Sequence, residues 1–359
     1  MGRIAAALDE LHLPYGTHMK NNFGKSAWRW LPGALISLAV IAAILYFVDL
    51  QRFVNAIRSA NYWLFLAVLV IALVWLAVRG MVWLTILRKR ASYRDVFLTL
   101  CEGYLLNNFL PFRMGEIGRA FLLGRKSKLG FMEVLPTVVI ERILDLVFAA
   151  AILLSAVPFV VGAAGAGKIA MLIGGLVVIG LLVLYLLARY RDWTMNLFQH
   201  LTTRWPNLQK HGEGFLTSLF SGLSILTDGW LFVRLLLWMM LNWAISILQF
   251  YLLVLAFFPQ ATVIWSLFGL GAVAFGNAIP SLPGAVGTFE GALAGALVLL
   301  GGNEIKDTAL AAALTAHLVN YFFTGLIGFY ALSKEGETLK SIYRQIRKKQ
   351  EEETDSSAP

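Results

Sequence analysis

One pattern decides the fold of this chain, and it first appears as Asn108-Phe-Leu-Pro-Phe-Arg-Met-Gly-Glu-Ile-Gly118. It returns as Asn277-Ala-Ile-Pro-Ser-Leu-Pro-Gly-Ala-Val-Gly287, so that both segments read N-x-x-P-x-x-x-G-x-x-G at a constant offset of 169 residues. Proline interrupts helices and glycine permits sharp turns. Short apolar arms flank each segment on both sides. Each segment therefore predicts the tip of a helical hairpin.

The longer apolar runs around the two hairpins repeat in the same order. A membrane-spanning helix needs about 20 mainly apolar residues. The predicted first repeat, residues 30–161, contains spans 30–48, 62–87 and 134–161 and a re-entrant hairpin at 96–123. The predicted second repeat, residues 162–332, contains spans 169–188, 231–258 and 308–332 and a re-entrant hairpin at 263–300. Because three full crossings precede the second repeat, we expect it to be inverted in the membrane, as in many transporters.

Composition independently excludes a soluble globular protein. Of the 359 residues, 58% are hydrophobic and 14% are charged, whereas soluble domains have about 45–50% apolar and about 25% charged residues. We therefore predict an all-α, polytopic membrane protein with about six full spans and two re-entrant helical hairpins. The single cysteine, Cys101, excludes an internal disulfide.

The net charge of +9 is mostly a signal of topology and does not indicate nucleic-acid binding. Of the 30 Lys and Arg residues, 21 lie in one set of predicted loops and tails and 4 in the opposite set. By the positive-inside rule, the tails 1–29 and 333–359 are then cytoplasmic and the protein lies in the cytoplasmic (inner) membrane. An amphipathic stripe at about residues 207–228 predicts an interfacial helix in the connecting loop.

Charged residues predicted to lie inside the membrane are the candidate functional residues, since burying a charge there is costly. Two arginines flank the first glycine turn, where a guanidinium and free backbone N–H groups suit a phosphate. Acidic residues on the neighbouring span and after the second tip suit a cationic or sugar group or a proton relay. The predicted lipid headgroup-binding residues are Arg113, Glu116, Arg119, Glu141, Arg142, Asp145 and Glu290.

The remaining candidates follow from their position on the helices. Glu141 and Asp145 are one helical turn apart and share a face, whereas Arg142 points about 100° away and is predicted to supply a separate contact. Proton coupling by Glu141, Asp145 and His317 is left open. Arg79, about 13 Å from the end of its span, either snorkels or joins the site. Predicted hairpin-shaping residues are Asn108, Pro111, Gly115, Gly118, Asn277, Pro280, Pro283, Gly284 and Gly287.

The two hairpin segments, together with Glu141-Arg-Ile-Leu-Asp145, resemble the flippase-like transmembrane domain of lysylphosphatidylglycerol synthases. The resemblance covers roughly residues 30–332 and extends to proteins in which this domain stands alone. Some family members also carry a cytosolic transferase domain, which makes an aminoacylated phospholipid. In these members, the resemblance implies, the transmembrane domain translocates that lipid. No segment long enough for that transferase follows residue 332, so we expect no lysyl-lipid synthesis, and the lysyl specificity does not carry over.

The favoured function is therefore a membrane lipid translocase for a phospholipid, aminoacyl-lipid, glycolipid or polyprenyl-linked lipid. The alternative is a proton-coupled small-solute secondary transporter of the same architecture, and an intramembrane lipid-modifying enzyme ranks third. We expect no enzymatic activity, cofactor or metal, because the sequence contains no metal-ligand or nucleotide motif. The expected partners are membrane lipids with an anionic or glycosylated headgroup and no nucleic acid. A homo-oligomer and a separate lipid-synthesising enzyme are left open as partners.

Overall fold

The computed structural model describes residues 49–110, 113–161, 189–203, 228–277 and 283–336 continuously, with single positions between 168 and 220 and at Ile279. Within these residues the chain forms helices and no strand, which confirms the all-α prediction. The predicted span 30–48 and nearly all of both tails lie outside the described residues. Span 169–188 and the interfacial helix at about 207–228 are described only at scattered positions.

Ten α-helices and two short 3₁₀ turns make up the described architecture. In chain order the helices are α1 (Leu50–Ser59), α2 (Tyr62–Ile86), α3 (Tyr93–Phe109), α4 (Met114–Lys126), α5 (Phe131–Val161), α6 (Arg191–Thr202), α7 (Gly229–Leu255), α8 (Val263–Gly276), α9 (Thr288–Gly301) and α10 (Lys306–Glu335). The 3₁₀ turns are Pro283–Ala285 before α9 and Asn303–Ile305 before α10.

Five described helical stretches are long and apolar enough to cross a membrane. They are Tyr62–Ile86, Phe131–Val160, Gly229–Leu255, Pro283–Gly301 and Asn303–Glu335. Four of them match the predicted spans 62–87, 134–161, 231–258 and 308–332. The fifth, Pro283–Gly301, is the predicted second arm of the hairpin at 263–300, and by length and composition it is a candidate span of its own. The chain is thus a multi-pass membrane protein.

Local signals in the sequence set the ends of the long helices. Asn61 precedes α2 and its side-chain oxygen accepts a hydrogen bond from the Trp63 N–H at 3.1 Å. Asp228 caps α7 in the same way, accepting from the Leu231 N–H at 3.3 Å. Such caps satisfy N–H groups that have no partner within the helix. At its other end α10 stops at Gly336, which has the left-handed φ of 66° that glycine adopts readily.

The packing divides the bundle into two similar units, α2–α5 and α7–α10. Within each unit a hairpin, α3–α4 or α8–α9, packs against itself and against the long helix that follows it. Between the units, α2 packs along α7, α3 packs on α10, and α8 packs on α5. In this comparison α2, α3, α4 and α5 correspond to α7, α8, α9 and α10. Exchanging each helix for its counterpart gives the same set of contacts. The predicted sequence repeat therefore has a matching pattern of helix contacts.

The first hairpin closes through two glycines that bring α3 and α4 into backbone contact. A Cβ added at Gly115 would meet the carbonyl oxygen of Gly103 and would lie 2.6 Å from the Asn107 backbone nitrogen. Only a residue without a side chain fits such a close approach of two backbones. Gly115 therefore lies where the backbones of the two hairpin arms approach each other most closely among these contacts, and a side chain there would force them apart.

Candidate functional site

Arg79 on α2 forms the centre of a buried charged cluster. Its side chain is 3% exposed and its two terminal nitrogens donate to both carboxylate oxygens of Asp145 at 2.8 and 2.5 Å. One of them also donates to Glu141 Oε1 at 2.5 Å, and the other lies 3.4 Å from Asn242 Oδ1 on α7. The fork geometry of arginine suits this pairing with a carboxylate. The cluster thereby joins α2 and α5 with α7 of the second unit.

Two further arginines share the same carboxylates. Arg119 on α4 donates to Glu141 Oε1 at 2.9 Å and lies over the Trp83 ring, 4.6 Å from its centroid. Arg142 on α5 pairs with Glu141 at 3.0 Å, with Asp145 at 3.2 Å and with Glu116 on α4 at 3.1 Å. The prediction that Arg142 makes a separate contact is wrong. Although its Cα–Cβ bond points away from the shared face, its long side chain reaches back to the carboxylates.

Arg113 is the least constrained of the charged residues at the first tip. It precedes α4 with a left-handed φ of 54°, a conformation that is uncommon for residues other than glycine. Its side chain is 44% exposed, and its ion pair with Glu116 is long, with 3.7 Å between Arg113 Nε and Glu116 Oε1. Such a distance is too long for a hydrogen bond. Arg113 is therefore free to bind a ligand without losing a strong ion pair.

The charged cluster faces a cavity of about 550 Å³ in the bundle. Its charged lining consists of Arg79, Arg113, Glu116, Arg142 and Asp145. Its neutral polar and aromatic lining consists of Trp75, Tyr104, Asn242, Trp243, Ser246 and Asn277. Arg119 and Glu141 lie behind this surface and support it. The structure thus brings the six predicted residues of the first unit into one site, four on the charged wall and two directly behind it.

A second, smaller cavity of about 260 Å³ adjoins the first. The two cavities share Trp75, Tyr104, Ser246, Leu270, Val273 and Asn277 as lining residues. Apart from these, the smaller cavity is lined mainly by aliphatic and phenyl side chains, including Val68, Phe250 and Phe289. The smaller cavity also has the polar residues Gln249, Asn320 and Thr324 in its lining but no charged residue. A charged compartment and an uncharged compartment therefore lie side by side between the two units.

Glu290 and His317 form a separate pair at the second tip. His317 Nδ1 lies 2.6 Å from Glu290 Oε1, and His317 Nε2 lies 2.9 Å from the Gly284 carbonyl oxygen. Since a carbonyl only accepts, Nε2 carries a proton, and the short contact at Nδ1 needs one more proton shared between the imidazole and the carboxyl. Glu290 Oε2 also accepts from the Gly287 N–H at 2.7 Å. Neither residue lines the charged cavity, so His317 is not brought together with Glu141 and Asp145.

The two tips are connected through α10. The Tyr321 hydroxyl lies 3.0 Å from the Pro283 carbonyl oxygen and 3.3 Å from that of Asn108, while the Asn108 amide donates to Thr324 Oγ1 at 2.9 Å. Gly284 has a φ of 72°, and a Cβ there would meet the Tyr321 hydroxyl, so this position requires glycine. Gly118 packs against Leu106 of the other hairpin arm. Pro111 and Pro280 lie outside the described residues.

Sequence reasoning missed Arg79 as the central residue of the site. A signal was present, because Arg79 is the only charged residue in the predicted span 62–87. Asn242 and Trp243 were missed because a neutral polar or aromatic residue in a span is common and carries no charge penalty. Their role follows only from the contact between α2 and α7.

The described part of the chain contains no group of three or more His, Cys, Asp or Glu side chains that could hold a metal ion.

The fold and the cluster define a class of protein: a helical membrane protein with a paired arginine–carboxylate network at a cavity within its bundle. The model of one family, described as the lysylphosphatidylglycerol synthase TM region, matches residues 33–328. The chain belongs to that family.

Two curated relatives are similar over different lengths. A UPF0104 membrane protein of Methanothermobacter thermautotrophicus is 24% identical over 290 residues, which cover 74% of this chain and 82% of the relative. A UPF0104 membrane protein of Methanocaldococcus jannaschii is 28% identical over 116 residues, 31% of this chain and 34% of the relative. No solved structure matches the chain.

Proposed function

We propose that this protein is a membrane lipid translocase whose headgroup site is the charged cavity. The observation that carries the proposal is the location of three arginines and two carboxylates on the wall of a cavity of about 550 Å³ inside an apolar bundle. Ionised groups at membrane depth are costly and are typical of substrate pathways. Arginine forks are suited to lipid phosphates.

The surroundings of the cavity favour an amphiphilic substrate over a small solute. Ile117 and Leu146 line the charged cavity and are 46% and 45% exposed, which gives it an apolar rim. The aliphatic and phenyl side chains of the adjoining uncharged cavity offer a second surface that a hydrocarbon chain would cover and a hydrophilic solute would not. A headgroup would therefore enter the charged compartment while its chains stay on the apolar side.

The two units are the proposed moving parts, arranged as inverted repeats with two re-entrant hairpins and both termini in the cytoplasm. Matching contacts of α3 with α10 and of α8 with α5 support the repeat, and the charge distribution of the loops supports the orientation of the termini. Inverted repeats produce alternating access when one rocks against the other around a central site. Tyr321, which contacts both tips, would transmit movement between them.

We propose transport and not catalysis because the carboxylates at the cavity are already engaged. Asp145 pairs with Arg79 and Arg142, and Glu116 pairs with Arg142. The oxygens of a carboxylate held in this way already accept hydrogen bonds from guanidinium groups, whereas a general acid must supply a proton. Glu290 and His317 lie at the second tip, where their shared proton is available to couple proton movement to transport.

The test is translocation of fluorescent phospholipids in proteoliposomes, measured as the fraction of label that dithionite bleaches with time. Wild-type protein is expected to move the label across the bilayer, and Asp145→Asn to slow it by about tenfold or more, because Arg79 loses its bidentate partner. The matched control is Glu304→Gln, an exposed carboxylate in the turn before α10. Lipid movement no faster than in protein-free vesicles would overturn the proposal and leave the small-solute transporter as the alternative.

A further inference from the structure

The charges of the cluster do not cancel. Four arginines, Arg79, Arg113, Arg119 and Arg142, share three carboxylates, Glu116, Glu141 and Asp145. Arginine stays protonated in proteins, and each of these carboxylates lies within salt-bridge distance of at least one guanidinium. The site therefore has one positive charge in excess.

Within the described residues, no further carboxylate lies within salt-bridge distance of these four arginines. The tip positions 111–112, 278 and 280–282, which the structure leaves undescribed, are Pro, Phe, Ala, Pro, Ser and Leu. The predicted spans 30–48 and 169–188 contain no Asp, Glu, Lys, Arg or His. Glu290 and His317 form a pair of their own. Glu102 on α3 and Glu335 on α10 share Lys126, and none of these three residues lines the charged cavity. The excess is thus left for a ligand.

Two neutral polar groups at the same cavity also lack partners. Trp243 Nε1 and Asn277 Oδ1 are buried and make no hydrogen bond within the described residues, although both residues line the charged cavity. A buried polar atom without a partner costs free energy. An N–H donor and a carbonyl acceptor together match a hydroxyl group, which both accepts and donates. An ammonium group would satisfy only the acceptor.

We propose that the cavity selects a headgroup with one negative charge and neutral hydroxyls, that is, a phosphodiester monoanion esterified to a polyol such as glycerol. Arg113 binds the phosphate, since it has the weakest internal pairing, while Trp243 and Asn277 bind the hydroxyls. A zwitterionic headgroup leaves the excess charge in place, and a dianion reverses it. This selectivity rests on the translocase function proposed above.

The experiment compares three lipids with the same labelled acyl chain in neutral phosphatidylcholine vesicles: phosphatidylglycerol, phosphatidylethanolamine and cardiolipin, with net charges of about −1, 0 and −2. Wild-type protein is expected to move phosphatidylglycerol at least about tenfold faster than the other two, because an unmatched charge is costly inside a membrane. Equal rates for all three lipids would overturn the selectivity and leave the translocase proposal intact.

Charge variants test whether the net charge of this cluster sets the preferred headgroup charge, which we call the charge rule. Arg113→Gln brings the cluster to zero and is expected to shift preference to phosphatidylethanolamine, while Glu116→Gln adds one positive charge and is expected to shift it to cardiolipin. The double variant restores the original excess and is expected to restore the preference for phosphatidylglycerol, at a lower absolute rate because Arg113 no longer binds the phosphate. Arg234→Gln, on α7 and outside the cavity lining, is the control with unchanged preference. A double variant that prefers neither or another lipid would overturn the charge rule.

A binding measurement separates this inference from transport itself. Short-chain forms of the three lipids are added to the detergent-solubilised protein and the rise in its unfolding temperature is measured. Stabilisation in the same order without any translocation would uphold the charge rule and overturn the translocase. Glycerophosphoglycerol, which has the same headgroup and no acyl chains, is the further ligand: stabilisation equal to that by the lipid would assign the site to a soluble phosphodiester. No charge dependence in any ligand would overturn the inference.

Discussion

Glu141 shows how much a single carboxylate contributes at membrane depth. It is fully buried, and its Oε1 accepts from Arg79 at 2.5 Å, from Arg119 at 2.9 Å and from Arg142 at 3.0 Å. The arginines come from three different helices, α2, α4 and α5. Transferring these charges out of water is expensive, and the mutual pairing offsets that cost only while all partners are present. The residue thus acts as the common anion of the cluster.

Glu141→Gln is therefore expected to lower the free energy of unfolding by about 3–5 kcal/mol, because it leaves the buried Arg119 without its carboxylate and removes one partner each from Arg79 and Arg142. The measurement is chemical denaturation in detergent micelles. Its matched control is Glu133→Gln on the same helix, where the carboxylate is 45% exposed and pairs with Arg90. An exposed pair contributes about 0–1 kcal/mol. Equal losses in the two variants would contradict the role of Glu141 as a buried common anion.

At the scale of the element, the α3–α4 hairpin depends on the contact between Gly103 and Gly115. Two of the three atoms nearest to an added Cβ at Gly115, the Gly103 carbonyl oxygen and the Asn107 backbone nitrogen, are backbone atoms, which cannot move aside as a flexible side chain does. The contact also sets the position of the site, because α4 carries Glu116 and Arg119 within four residues of Gly115. The glycine of the repeated motif therefore links hairpin geometry to the charged wall.

Gly115→Ala is accordingly expected to destabilise the protein by about 1–3 kcal/mol, since the added methyl group forces the two helices apart. The control is Gly295→Ala in α9, where an added Cβ meets no atom within 4 Å. That substitution is expected to be neutral or slightly stabilising because alanine favours helix. Thermal unfolding of the two variants in one detergent measures the difference, and a Gly115→Ala protein as stable as wild type would disprove the close contact.

At the scale of the whole molecule, the sequence predicts the helices well and their mutual contacts poorly. Predicted spans such as 62–87 and 231–258 agree with Tyr62–Ile86 and Gly229–Leu255 because a chain in lipid must bond its own backbone, so apolar length indicates helix directly. By contrast, the approach of Asn242 to Arg79 joins residues 163 positions apart. No periodicity encodes such a contact. The predicted separate contact of Arg142 was wrong because the angle between residues around a helix gives the direction of the Cα–Cβ bond and not the reach of a long side chain.

The orientation of the molecule is the remaining prediction, and the packing makes it testable at four positions. The backbone N–H of Asp49, before α1, donates to Asp307 Oδ1 at the start of α10 at 3.0 Å, so Arg58 and Glu304 belong to the same side of the bundle. Lys128, after α4, and Lys334, near the end of α10, belong to the other side if the termini are cytoplasmic. All four positions are exposed.

Single cysteines at these positions, in a Cys101→Ala background, are expected to react with a membrane-impermeant maleimide according to side. In right-side-out membrane vesicles, Arg58→Cys and Glu304→Cys are labelled at once, whereas Lys128→Cys and Lys334→Cys are labelled only after permeabilisation. The parent Cys101 is buried and serves as the unlabelled control. Labelling of Lys128→Cys and Lys334→Cys first would reverse the assigned orientation. Labelling of Arg58→Cys and Glu304→Cys from opposite sides would rule out the arrangement of the two units, because α1 and the start of α10 would no longer share a membrane face.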